Sequence, residues 1–127
     1  MIGGIVKSGL VPPEQVYAAD PSEQNLNRVQ KEYGICVTQD NLVPAKKCDI
    51  LVLSVKPYLY ADVIEEIRAT VKQDVVIVMI AAGQTIAVNE ARFGRNIKIV
   101  RAMPNTPALV GEGMAALCAN SYVTDEE

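Results

Sequence analysis

Short runs of β-branched apolar residues alternate along this chain with longer amphipathic stretches, and this rhythm limits the fold more tightly than any other feature. Such alternation marks βαβ units wound around a parallel sheet. A first short strand is expected over Val16 to Ala19. Pro21 and Ser22 then read as a helix start; Leu26, Val29, Gln30 and Tyr33 mark its inner face, and Gly34 ends it. A brief strand follows over Cys36 to Thr38, and Asp40 is placed to cap a short helix through Pro44 and Ala45. Ile50 to Val55 is apolar on both faces, which predicts a central strand covered by helices. Leu59, Val63, Ile64, Ile67 and Val71 recur at helical spacing, Val75 to Ile80 predicts another buried strand, and Ile86 to Phe93 a helix closed by Gly94. Lys98 to Arg101 is the last clear strand. Met103 to Gly113 reads as a loop before an apolar segment, Met114 to Cys118, and Thr124 to Glu127 reads as the capped start of a helix.

Composition narrows the classes of function. The 127 residues make one domain, half hydrophobic and about a fifth charged, with a net charge of -3, the profile of a soluble globular protein. No basic patch points to nucleic acid. The longest apolar run, Val75 to Ala82, is too short to cross a bilayer, and Met1 to Leu10 lacks a signal peptide's pattern, so a cytoplasmic protein is expected. Three widely spaced cysteines, Cys36, Cys48 and Cys118, suggest buried free thiols rather than a metal cluster or disulfides. The absence of histidine removes any Ser-His or Cys-His nucleophile pair.

In a doubly wound sheet ligands bind beyond the carboxyl ends of the strands, so the residues just after each strand carry the functional information. Asp20 and Ser22 follow the first strand. Asp20 either accepts hydrogen bonds from a ribose diol, as such folds hold the adenosine half of a dinucleotide, or simply favours the positive end of the next helix. Ser54, Val55, Lys56 and Pro57 follow the central strand, where Pro57 fixes a turn beside the cleft. Ala81, Ala82 and Gly83 have no bulk, which suits either close approach of a ligand or close helix packing. Arg101 to Gly113 concentrates rigid turns and small polar groups in one loop, the pattern of a binding loop on a rigid scaffold.

In this order, Val52-Leu53-Ser54-Val55-Lys56-Pro57, Ile80-Ala81-Ala82-Gly83, Arg101-Ala102-Met103-Pro104-Asn105-Thr106-Pro107 and Gly111-Glu112-Gly113 resemble the successive signature segments of pyrroline-5-carboxylate reductases. Met1-Ile2-Gly3-Gly4 resembles the later part of that family's first helix. The resemblance implies a Rossmann-like α/β domain, a doubly wound parallel sheet, over residues 1–127. It implies NADP or NAD as cofactor, with Asp20 and Ser22 beside the adenosine ribose, Asn41 nearby, Ser54 to Pro57 along the ribose and phosphate path, and Ala81 to Gly83 near the nicotinamide. The implied reaction is hydride transfer to the imine carbon of 1-pyrroline-5-carboxylate, giving L-proline. Such a reaction relies on orientation and electrostatics, and no catalytic residue is named; Asn105 and Thr106 are placed on the substrate side.

Two departures from the family pattern are expected to matter. The chain has no first strand with a Gly-rich phosphate loop, and none of the C-terminal helical domain through which the family forms homo-oligomers. The domain is therefore expected to be partial, truncated at the N-terminus, and inactive alone. In the 3-2-1-4-5-6 strand order the absent strand belongs between Val16–Ala19 and Ile50–Val55. A non-catalytic NAD(P)-sensing module or a related Rossmann dehydrogenase are the alternative readings.

Overall fold

The computed structural model describes residues 1–127. Its strands are β1 (Tyr17–Ala19), β2 (Cys36–Thr38), β3 (Ile50–Leu53), β4 (Val76–Met79), β5 (Lys98–Pro104) and β6 (Ala115–Ala119). The helices are α1 (Ile2–Ser8), α2 (Glu23–Tyr33), α3 (Leu42–Lys47), α4 (Tyr60–Ile67) and α5 (Ile86–Phe93). Local chemistry accounts for their ends. Ser22 caps α2 by accepting the Asn25 N–H at 3.3 Å, and Gly34 closes the helix at a φ of 69°. Asp40 Oδ1 accepts the Leu42 N–H at 2.9 Å, so the expected acid does steady the start of α3 although Asn41 occupies the cap position. Thr85 caps α5 through the Val88 N–H.

The strands form an α/β fold with parallel pairing, as expected, but in two separate sheets. β1 pairs only with β2, and β3, β4 and β5 run parallel in a second sheet that β6 extends antiparallel. Ile50 to Val55 is thus not a central strand here. β3 stops at Leu53 and forms an edge of its sheet, with Ile50 63 % exposed, because only β4 pairs with it. The region after Lys98 also differs from expectation. β5 runs on to Pro104 because β6 returns beside it, and Thr106–Val110 forms a 3-10 helix where an irregular loop was expected. No helix follows Thr124, yet the expected cap geometry is present: Glu127 accepts the Thr124 N–H at 3.0 Å while Thr124 Oγ1 accepts the Glu127 N–H at 3.4 Å.

One core lies between the larger sheet and α4 and α5. Ile77 and Met79 of β4 and Ile99 of β5 are fully covered, and they pack with Tyr60, Ile64 and Ile67 of α4 and Phe93 of α5. The alternate residues Val76, Val78 and Val100 are only half-buried, so the second face of this sheet is the less covered one. The β1–β2 half buries far less, chiefly Leu26 and Ile35. The cysteines are free, but they are not buried as expected: Cys36 and Cys48 are half-buried and Cys118, on the fully exposed edge strand β6, faces water.

Candidate functional site

The two sheets leave between them a cavity of about 1290 Å³, walled by β1 and β3 and floored by α1, α2, α3 and α4. Both walls are strands paired on one side only, so each offers a row of backbone groups without a strand partner to the gap. This is the slot in which strand order puts an additional strand. Its mouth holds the first candidate residues.

Asp20, directly after β1, turns its carboxylate back onto the following helix start, where Oδ1 accepts the Ser22 N–H at 2.7 Å. Both uses foreseen for this side chain are therefore compatible. One oxygen organises the turn, and Oδ2 has no partner within the protein. Ser22 does not line the cavity; its hydroxyl serves as the helix cap. Asn41 does line it, with its amide held by Glu66 Oε2 of α4 at 2.9 Å. Across the gap, Ser54 and Val55 leave the end of β3 along the same wall. Asp20, Asn41, Ser54 and Val55 are thus brought to one cleft.

Lys56, Pro57, Ala81, Ala82 and Gly83 are not on that cavity; they continue the rim along the ends of β3 and β4. Lys56 is exposed and precedes a 3-10 turn that Pro57 starts. Ala81 is buried and Gly83 exposed, and nothing stands within 4 Å of where a side chain at Gly83 would begin. The space for a ligand to approach the backbone exists here. Asn105 and Thr106 lie further along, at the start of the exposed 3-10 helix, and Asn105 Oδ1 is used to accept the Met114 N–H at 3.0 Å. Neither lines the separate pocket of about 260 Å³ nearby, which is formed by Pro104, Ala108, Gly111, Gly113, Met114 and Ala115.

Three features of the site carried no signal in sequence. Arg28 and Lys46 line the cavity and form no ion pair within the protein, whereas Lys72, also on it, is held by Asp49 at 2.7 Å. Lys47 lies 5.1 Å above the Tyr17 ring. Finally, Tyr60 and Gln84 bridge the segments after β3 and β4: the Tyr60 hydroxyl donates to Leu53 O at 2.7 Å and accepts the Ala81 N–H at 3.3 Å, while Gln84 Nε2 donates to Pro57 O at 3.1 Å. No local pattern reports such bridges, because their partners are more than twenty residues apart in the case of Ala81 and Pro57.

A free carboxylate oxygen on a strand end, unpaired cations around the cleft and an uncluttered Ala-Ala-Gly turn suit an anionic dinucleotide. No group of three or more acidic or cysteine side chains is arranged to hold a metal ion, and no helix is long and apolar enough to cross a membrane.

Comparison with known proteins identifies the family and agrees with the fold. A sequence model of the family described as NADP oxidoreductase coenzyme F420-dependent matches residues 1–83. The pyrroline-5-carboxylate reductase of Escherichia coli (strain K12) is 36 % identical over 127 residues, all of this chain and 47 % of the relative. The structure of a pyrroline-5-carboxylate reductase from Coxiella burnetii superposes with a TM-score of 0.93 at 32 % identity, covering 98 % of this chain and 46 % of that one. The crystal structure of Plasmodium falciparum pyrroline carboxylate reductase with NADP bound gives a TM-score of 0.83 at 31 % identity, covering 97 % and 44 %. The chain spans about half the length of the curated relatives it matches. It belongs to the family of NADP oxidoreductases described as coenzyme F420-dependent, and it resembles the N-terminal, cofactor-binding part of pyrroline-5-carboxylate reductases.

Proposed function

We propose that residues 1–127 are the cofactor-binding portion of a pyrroline-5-carboxylate reductase that takes NADPH or NADH. The observation that carries this reading is the convergence of Asp20, Asn41, Ser54 and Val55 on one cleft, with the small Ala81–Gly83 turn further along the same rim. Bound there, a reduced nicotinamide supplies the hydride that converts the imine carbon of 1-pyrroline-5-carboxylate to that of L-proline.

The chain's own residues bind and orient. Asp20 Oδ2 accepts from the adenosine ribose, Asn41 lies beside it, and Ser54 to Pro57 follow the ribose and phosphate path. Arg28 and Lys46 offset the charge of the phosphates, and Ala81–Gly83 lets the nicotinamide lie against the backbone. Asn105 and Thr106 face the substrate. An iminium carbon is already electrophilic, so these residues need not donate a proton; holding the reactants at reacting distance is the main task.

The same reading makes the complete protein a cytoplasmic homo-oligomer whose helical portion lies outside these residues. Leu109, Val110, Met114 and Leu117 support it, since all four are more than two-thirds exposed around β6 and call for apolar cover. Residues 1–127 alone are proposed to turn over poorly. Purified intact gene product should consume NADPH or NADH only when 1-pyrroline-5-carboxylate is added. No substrate-dependent loss of nicotinamide absorbance would overturn the reading.

A further inference from the structure

Tyr60 opens α4 and is fully buried, yet its hydroxyl is spent on two backbone groups rather than on the helix. It donates to the carbonyl of Leu53, the last residue of β3, at 2.7 Å, and accepts from the N–H of Ala81, just beyond β4, at 3.3 Å. One oxygen atom therefore joins the roots of two rim segments, Ser54–Pro57 and Ala81–Gly83. β3 and β4 are already paired from Ile50↔Val76 to Leu53↔Met79, and the tyrosine continues that link where the ladder ends. Farther out Gln84 repeats it, with Nε2 donating to Pro57 O at 3.1 Å while Oε1 accepts from Asn89 and Arg92. The rim of the cleft is thus cross-tied twice, once inside the core and once at the surface.

We propose that Tyr60 is a positioning residue: its buried hydroxyl fixes the spacing between the segment that follows the cofactor's ribose and phosphate path and the segment that receives its nicotinamide. This rests on the reductase reading above. The chemistry suits the task, because a phenol hydroxyl can donate and accept at once. Burial pushes the phenol's pKa up, and the backbone bond from Ala81 partly offsets this, so the donor proton is retained at neutral pH. Asp20 follows β1 of the other sheet, so the carboxylate proposed for the adenosine ribose shares no bond with Tyr60, Leu53 or Ala81.

That independence yields a test. In the intact gene product, Tyr60→Phe removes one oxygen and keeps the ring in the core. Dissociation constants are measured by calorimetry for NADPH and for 2′,5′-ADP, which carries the adenosine end and no nicotinamide, and exchange of the Ala81 amide is followed by NMR without ligand. The expected result is faster exchange at Ala81 and NADPH weakened about tenfold, with 2′,5′-ADP affinity within about twofold of the unsubstituted protein. Gln84→Glu, which keeps an acceptor for Asn89 and Arg92 and removes the donor to Pro57, should shift the same two affinities in the same unequal way. It carries the test if Tyr60→Phe does not fold. Equal weakening of both ligands, or no change in either, would overturn the positioning role and leave the reductase reading standing. Failure of the unsubstituted protein to bind either NADPH or NADH would overturn that reading and the role with it.

Discussion

Asp20 and Ser22 are joined by a 2.7 Å hydrogen bond from the Ser22 amide to Asp20 Oδ1, a bond that turns the carboxylate onto the helix start beside the cleft and leaves Oδ2 free. The same residue therefore shapes the turn and presents a negative charge where an adenosine ribose is proposed to sit. A 2′-phosphate at contact distance would meet repulsion of about 1 to 4 kcal/mol, depending on how much water remains between the charges.

Asp20→Ser should accordingly move the ratio of kcat/KM values toward NADPH and away from NADH by about tenfold. The serine hydroxyl can still accept from the turn, so the fold should be retained. Steady-state kinetics of the intact gene product with both cofactors would show this, and an unchanged ratio would refute the placement of Asp20.

Gly113 is held against the 3-10 helix so closely that a Cβ there would stand 2.5 Å from Ala108 Cβ and 2.6 Å from Ala108 Cα. The obstacle is backbone, which cannot move aside as a flexible side chain would. Gly113→Ala should destabilise the protein by about 1–3 kcal/mol and displace the segment that carries Asn105. Chemical denaturation would measure the loss; a variant as stable as the parent would show that the segment yields freely.

The unpaired edges of β1 and β3 make a prediction about this 127-residue polypeptide by itself. Facing strand edges with an exposed Ile50 between them invite strand addition from another molecule. The isolated polypeptide should self-associate in sedimentation experiments, and Ile50→Lys should reduce the association. A monodisperse monomer at high concentration would contradict this.

Glu127 and Lys98 form an ion pair that ties the end of the chain to β5. The hydrogen bond to Lys98, followed by that from the Thr124 amide, holds the Glu127 carboxyl below its ordinary 4.5, and the Glu127 bond raises the Lys98 ammonium above 10.5. A carboxyl lowered in the folded state stabilises above its unfolded pKa and loses that contribution as pH falls through the folded value. An ammonium raised in the folded state stabilises below its unfolded pKa and loses that contribution as pH rises through the folded value. The melting temperature of Glu127→Gln should therefore lie below that of the parent at pH 7, and the gap should close as pH drops below about 4.5. Thermal scans across pH would test this, and a gap that persists at pH 2 would assign the effect to packing.

Much of the fold was legible because it is local. Ser22 and Gly34 bound α2, Gly94 closes α5, and Cys36–Thr38 is β2, since caps, left-handed glycines and β-branched runs act within a few residues. The strand-end placement of Asp20, Ser54 and Ala81–Gly83 follows from the same periodicity, because the side of a sheet that binds ligand is set by where its strands stop. What sequence could not decide was partnership. An apolar run such as Ile50–Leu53 reads alike whether it pairs on one edge or two; the expected strand order left its inner edge without a partner, and the tertiary arrangement made that edge the wall of a cavity. Arg28 and Lys46 look like ordinary surface charges until the cavity gathers them, and Tyr60 looks like one more apolar position on α4 until its hydroxyl meets Leu53 and Ala81. Local propensity, then, fixed each element and its ends, whereas pairing, burial and the ties across the rim arise from contacts between distant residues, which no short stretch of chain encodes by itself.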